Sequence, residues 1–223
     1  MKNTSTLLTL LLTLVASNSF ATTLTGSPSS AKLTIYGVAL SKNTDCSQAK
    51  VVGYNPEGTT YDFLQNPNIV SGSIDPGTYQ CVILYMKALL TFVPATTVGT
   101  CTAGQTISRA ICNGGCSYTS GSPDADNILQ FGSVQTSAAT NSQDTAHADK
   151  VFLFISTGSA GDGSTGLAFQ QPLTAGSPNG IKLNGALTVA SSGGTGTFVV
   201  DFNNALNGGT TPCDLGPPTF SFR

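Results

Sequence analysis

S-I-D-P-G-T-Y-Q-C-V-I-L-Y-M-K-A-L-L-T-F, residues 73–92, is the stretch on which the fold turns. It opens with a turn signal, Asp75-Pro76-Gly77. Pro76 presets φ for the second position of a turn, and Gly77 tolerates a positive φ at the third. Tyr79, Val82, Ile83, Leu84, Tyr85 and Leu89 follow, rich in the β-branched and aromatic side chains that strands favour. The run is apolar at consecutive positions rather than alternating. That predicts a strand buried on both faces, with the core built against it.

Outward from this strand the chain reads as short strands between Gly, Pro and Asn turns. Residues 33–40 predict a first strand. Residues 50–54 and 60–64 predict two more, separated by Asn55-Pro56-Glu57-Gly58. Residues 150–155 form a second dense run, and residues 166–170 a shorter one. Ile181, Leu183, Leu187 and Val189 alternate with polar or small residues, as do Phe198, Val200 and Phe202. A Gly-rich loop at 191–196 joins these two segments into the clearest expected hairpin. Phe220 and Phe222 alternate in a final strand. About nine or ten short strands and no amphipathic helix predict an all-β fold, an antiparallel β-sandwich of immunoglobulin or prealbumin type.

Both ends carry further signals. Lys2 precedes an apolar segment at 7–16, and Ser19-Phe20-Ala21 offers small residues for cleavage, so residues 1–21 read as a secretory signal peptide. Residues 22–223 then form a single domain. The lead at 22–30, with Gly26 and Pro28, is expected to be flexible. No later apolar run is long enough for a transmembrane helix, since residues 82–93 are too few and Lys87 interrupts them.

The expected cleavage removes one charged residue, Lys2, leaving eight basic against eleven acidic residues. Two arginines in the chain, Arg109 and Arg223, and no basic patch argue against nucleic acid as a partner. Charged residues make up 9% of the chain, with Ser, Thr, Asn and Gly in their place, as in secreted and surface-exposed β proteins.

Six cysteines, Cys46, Cys81, Cys101, Cys112, Cys116 and Cys213, are an even set in an exported chain and predict three disulfides. Fifteen pairings are open; Cys46 is the preferred partner for Cys81. Cys112 and Cys116 also have a metal-like spacing that His147 could complete, but oxidising export favours disulfides over zinc. Three of the six lie within residues 95–149, a stretch poor in large apolar residues. It reads as a loop insertion stapled by cysteines in place of a core, with a hairpin or short helix near 106–112.

Two segments resemble known proteins. The Pro76-Gly77-Thr78-Tyr79 turn leading into an apolar strand resembles that of prealbumin-like and collagen-adhesin B-type sandwich modules of bacterial surfaces. Residues 183–206, with Phe198-Val-Val-Asp-Phe-Asn203, are similar to the closing hairpin of an uncharacterised family of bacterial cell-envelope domains, many of them lipoproteins. That family also opens with a strand like residues 33–40. The chain departs from it in lacking a lipobox and in carrying the cysteine-rich stretch at 101–116. The resemblance implies a sandwich at the cell envelope and no particular reaction.

Catalytic signals are sparse. The chain holds one histidine, one glutamate (Glu57) and no tryptophan. His147 lacks a Gly-x-Ser-x-Gly nucleophile motif, and most aspartates sit beside turn formers rather than as carboxylate pairs. No enzyme activity and no cofactor are expected. Asp124, Asp126 and Asp162 are the candidate calcium ligands, though turn formation explains the same residues.

The expected role is a non-enzymatic protein of the cell surface or extracellular space, in adhesion or as a subunit of an assembly. Strand exchange by residues 22–30 or 219–223 is one route to self-assembly. The alternative is a module that binds a glycan or protein partner through residues 95–149, where Tyr118 is an available stacking surface. A secreted hydrolase using His147 is the third class.

Overall fold

A computed structural model describes residues 24–65, 69, 74–112, 143–147, 150–164, 166–191, 197–209 and 212–222. Along the chain run β1 (Thr25–Gly26), β2 (Pro28–Ser41), β3 (Lys50–Asp62), β4 (Gly77–Tyr79), β5 (Cys81–Pro94), β6 (Ile107–Ala110) and β7 (Lys150–Ser156). After them come β8 (Ile181–Asn184), β9 (Leu187–Val189), β10 (Phe198–Asp201), β11 (Leu206–Asn207), β12 (Asp214–Leu215) and β13 (Thr219–Phe222). The all-β expectation holds for these residues.

The main sheet has the order β10-β13-β8-β7-β5-β2-β3, and β6 also pairs with β5. The apolar run at 81–92 is thus an inner strand. On one side β5 pairs with β2; on the other, Cys81–Lys87 pair with β7 and Leu89–Phe92 with β6. Val82, Leu84, Met86, Ala88, Leu90 and Phe92 point into the main core. Cys81, Ile83 and Tyr85 point the other way, into a smaller core with Ala39, Phe152 and Phe154. Double-sided burial is therefore real, and it is confined to the first half of the strand: beyond Met86 exposure alternates.

The loop at 42–49 covers that second face. Cys46, at φ 63°, bonds to Cys81, the expected pairing, and closes a loop of 35 residues. The Ser156 hydroxyl donates to the Thr44 carbonyl, and the Gln171 side-chain amide donates to the Asp45 carbonyl at 2.7 Å. The turn at 75–77 is held from three directions. Lys42 Nζ donates to the Pro76 carbonyl at 3.0 Å, the Tyr79 hydroxyl donates to the Asp75 carbonyl at 2.7 Å, and Lys50 pairs with Asp75 at 3.2 Å. Gly77 takes the expected positive φ, 148°.

Several expectations are corrected. The sheet is mixed, because β8 runs parallel to both β7 and β13. It curls rather than forming a purely antiparallel structure: Phe198, Val200 and Phe220 from one end share a core with Leu33 and Leu84 near the other. Residues 50–54 and 60–64 are not separate strands. Pro56 lies inside β3, which tolerates it as an edge strand with a register shift opposite Tyr36. Residues 166–169 form a 3-10 turn, not a strand.

The expected hairpin does not form. Gly185, at φ 95°, breaks residues 181–189 into β8 and β9; β9 pairs with β4 and β10 with β13. The lead is not free from Thr25 onward, since β1 pairs with β11 and Ser27 exchanges hydrogen bonds with Asn203 and Asn204. The region near 106–112 is a strand, β6, in hairpin relation to β5. The signal segment 1–21 and the loop at 192–196 lie outside the described residues, and no described helix is long and apolar enough to cross a membrane.

Candidate functional site

The curl leaves a cavity of about 320 Å³ between its two limbs. Leu33 from β2, Leu84 and Met86 from β5, and Leu153 from β7 line one wall. Phe169 from the 3-10 turn, with Phe202 and Phe220, lines the other. The strand pattern explains most of this composition: Leu33, Leu84, Met86, Leu153 and Phe220 are inward positions of strands that alternate or are buried throughout, while Phe169 and Phe202 come from the 3-10 turn and the segment after β10.

Among the described residues, the polar side chains in the lining are Arg109, Ser164 and Asp214. Arg109 stands on β6, two residues after Ile107 of the main core and so on the same face of the strand, and is half-buried. Its Nη1 donates to the Ser108 carbonyl and its Nη2 to the Cys213 carbonyl, each at 2.9 Å. Its Nε is buried and has no hydrogen-bond partner. The Cys101–Cys213 disulfide fixes the carbonyl that holds the guanidinium, with Cα atoms 4.8 Å apart. Asp214 accepts the Leu215 N–H at 2.8 Å and forms no ion pair with Arg109; Lys50–Asp75 is the one ion pair among the described residues. Arg109 also lines a more open groove with Thr100, Gln105 and Pro212, so it stands between the inner cavity and the surface.

A second feature is the sheet edge. β3 is 13 residues long and has no neighbour on its outer side among the described residues. Its central charge is confined to Glu57, and Val51 is 42% exposed.

The cysteines expected to bridge do so where they are described. Cys46 pairs with Cys81 and Cys101 with Cys213. Cys112 is also disulfide-bonded, which removes it from a zinc set. Cys116 lies outside the described residues, as do Asp124, Asp126 and Tyr118. Asp162 serves its own turn: the Ser164 hydroxyl donates to it at 2.6 Å and the Ser164 N–H at 2.9 Å, and these bonds hold its carboxyl below the ordinary range. No group of three or more metal-ligating side chains occurs among the described residues. His147 ends a short 3-10 turn at Thr145–His147. Glu57 sits on the exposed edge of β3.

Of the calcium and catalytic candidates, Asp162 is engaged in its own turn, Glu57 lies on β3, and Asp124 and Asp126 lie outside the described residues; the structure singles out Arg109 instead. The signal for it was present in the chain: an arginine between Ile107 and Ile111 in a sequence with so few charges. Compared with protein-family models, curated proteins and solved structures, the chain matches none.

Proposed function

We propose that the protein is an exported, non-enzymatic protein of the cell surface or extracellular space that acts as a structural or adhesive subunit of a surface assembly. The observation that carries this proposal is the outer edge of β3. Edge strands offer unpaired backbone groups, and natural chains usually blunt them with short length, charge, Pro or bulges. Pro56 and the register shift interrupt β3, yet stretches of Val, Tyr and Thr remain on either side of it. Such an edge accepts a strand from a neighbour, with backbone hydrogen bonds giving affinity and side chains giving specificity. The disulfides support folding outside the reducing cytoplasm. The likeness of the turn at 76–79 to those of bacterial surface modules supports the same location.

The test is sedimentation velocity with negative-stain microscopy of residues 22–223 over a wide concentration range. Ordered oligomers that disperse when charges are placed on the edge, by Val51→Lys with Thr59→Lys, are the expected result. A monomer at every concentration, or assemblies indifferent to those charges, overturns the proposal. A glycan- or protein-binding module using residues 95–149 is the second reading. It draws on one observation: β6 and the Cys101–Cys213 bridge hold the described part of that stretch against a rigid sheet.

A further inference from the structure

The cavity inside the curl points to a ligand, which goes beyond the structural role proposed above. Protein interiors are packed as densely as organic crystals, with few voids larger than a water molecule. A cavity of about 320 Å³ is at the lower end of the range for small-molecule sites. It is also about twice the size of an engineered apolar cavity that stays dry and takes up small apolar molecules. The lining is dominated by Leu84, Met86, Leu153, Phe169, Phe202 and Phe220. A guest held by these side chains is an alkyl chain or comparable hydrocarbon.

The guanidinium of Arg109 specifies the other end of that guest. A cation in apolar surroundings is costly unless a counter-charge and hydrogen bonds satisfy it. Here two neutral carbonyls take one bond each from Nη1 and Nη2, and Nε has no partner. Asp214 shares the lining but spends its carboxylate on the Leu215 N–H and does not pair with Arg109. The two carbonyl bonds fix the guanidinium plane without neutralising it. A carboxylate is the group whose geometry matches such a fork. Because Arg109 also lines the outer groove, the charged end of a guest held by it stays near the surface while the tail runs inward.

We infer that this cavity binds a medium-chain carboxylate, with Arg109 gripping the carboxylate and the walls of the curl enclosing the alkyl tail. Ionic charge at the head and hydrocarbon at the tail are both required.

Isothermal titration of the purified, disulfide-intact protein with decanoate, decan-1-ol and acetate, all below micelle-forming concentrations, tests it. Decanoate is expected to bind saturably, acetate not at all, and decanol at least about tenfold more weakly, the worth of a charge-assisted hydrogen bond. Arg109→Gln should abolish the preference for decanoate over decanol. Ala168→Phe, which fills the cavity from its wall, should abolish binding of both; if that variant does not fold, Leu33→Phe serves in its place. Equal binding of decanoate and decanol by the wild type overturns the inference, as does decanoate binding untouched by Arg109→Gln, or no saturable binding at all.

Discussion

Tyr85 is 2% exposed and lies in an aromatic row on the second face of the sheet, with ring centroids 5.5 Å from Tyr36 and 5.1 Å from Phe152. Lys150 Nζ caps the row, 4.0 Å above the Tyr36 ring. Burial pushes the Tyr85 hydroxyl above the ordinary tyrosine range, with smaller contributions from Tyr54 and Tyr36. Tyr36 and Tyr79 shift the same way, burial again being the first cause. In the unfolded chain a tyrosine loses its proton near pH 10. The folded state holds more protons than the unfolded state above that value, so stability is fully present below it and falls as pH rises through the higher folded values. The urea midpoint is therefore expected to hold steady up to about pH 10, the unfolded value, and to fall as pH rises above it. Tyr85→Phe should make the drop shallower; an identical drop in wild type and variant would remove Tyr85 as a contributor. At this scale the sequence told little. It showed Tyr36 and Tyr85 but not that they meet, because β2 and β5 come into register only through tertiary pairing.

β5 shows what a local pattern can and cannot reveal. Its consecutive apolar residues predicted double-sided burial, and the structure gives it from Cys81 to Met86, where the loop at 42–49 and β7 supply a second core. In the half paired with β6, Leu89 faces only a minor cluster around Ala110. Ile83→Ala should then cost about 2–5 kcal/mol, the range for a buried aliphatic truncation. Leu89→Ala should cost under about 1 kcal/mol. Chemical denaturation of both variants checks this, and equal losses would contradict the two-part description of the strand. Strands with dense or strongly alternating apolar residues, β5, β7 and β13, were legible because their pattern is local. Pairing was not. The segments at 181–189 and 197–203 had the look of a hairpin, but Gly185 diverts the chain and the C-terminal β13 takes the place beside β10. The strand expected at 166–170 is a 3-10 turn at Gly166–Phe169, because a short apolar run fits a turn or a strand equally well.

At the scale of the molecule, two bridges tie distant parts of the chain. Cys101–Cys213 spans 112 residues and joins the segment before β6 to the segment before β12. Loop closure of that length is worth up to about 4–5 kcal/mol. Cys101→Ser with Cys213→Ser should lower stability by nearly that amount, more than the pair Cys46→Ser with Cys81→Ser, whose loop is 35 residues. Thermal melts of the two double variants rank them; the reverse order would mean that strain or residual structure outweighs loop length. The cysteine count made a bridged framework legible, while the cavity was not: its walls come from strands separated along the whole chain, and the Cys213 carbonyl that holds Arg109 lies 104 residues further on. The place of β13 carries one more consequence. It follows every other described strand in the chain, yet it lies inside the sheet, between β10 and β8. A chain that emerges amino end first keeps β8 and β10 as separate, unsealed flaps until Thr219–Phe222 arrive between them. The last described strand to appear is thus the latch that fastens β10 to the rest of the curl.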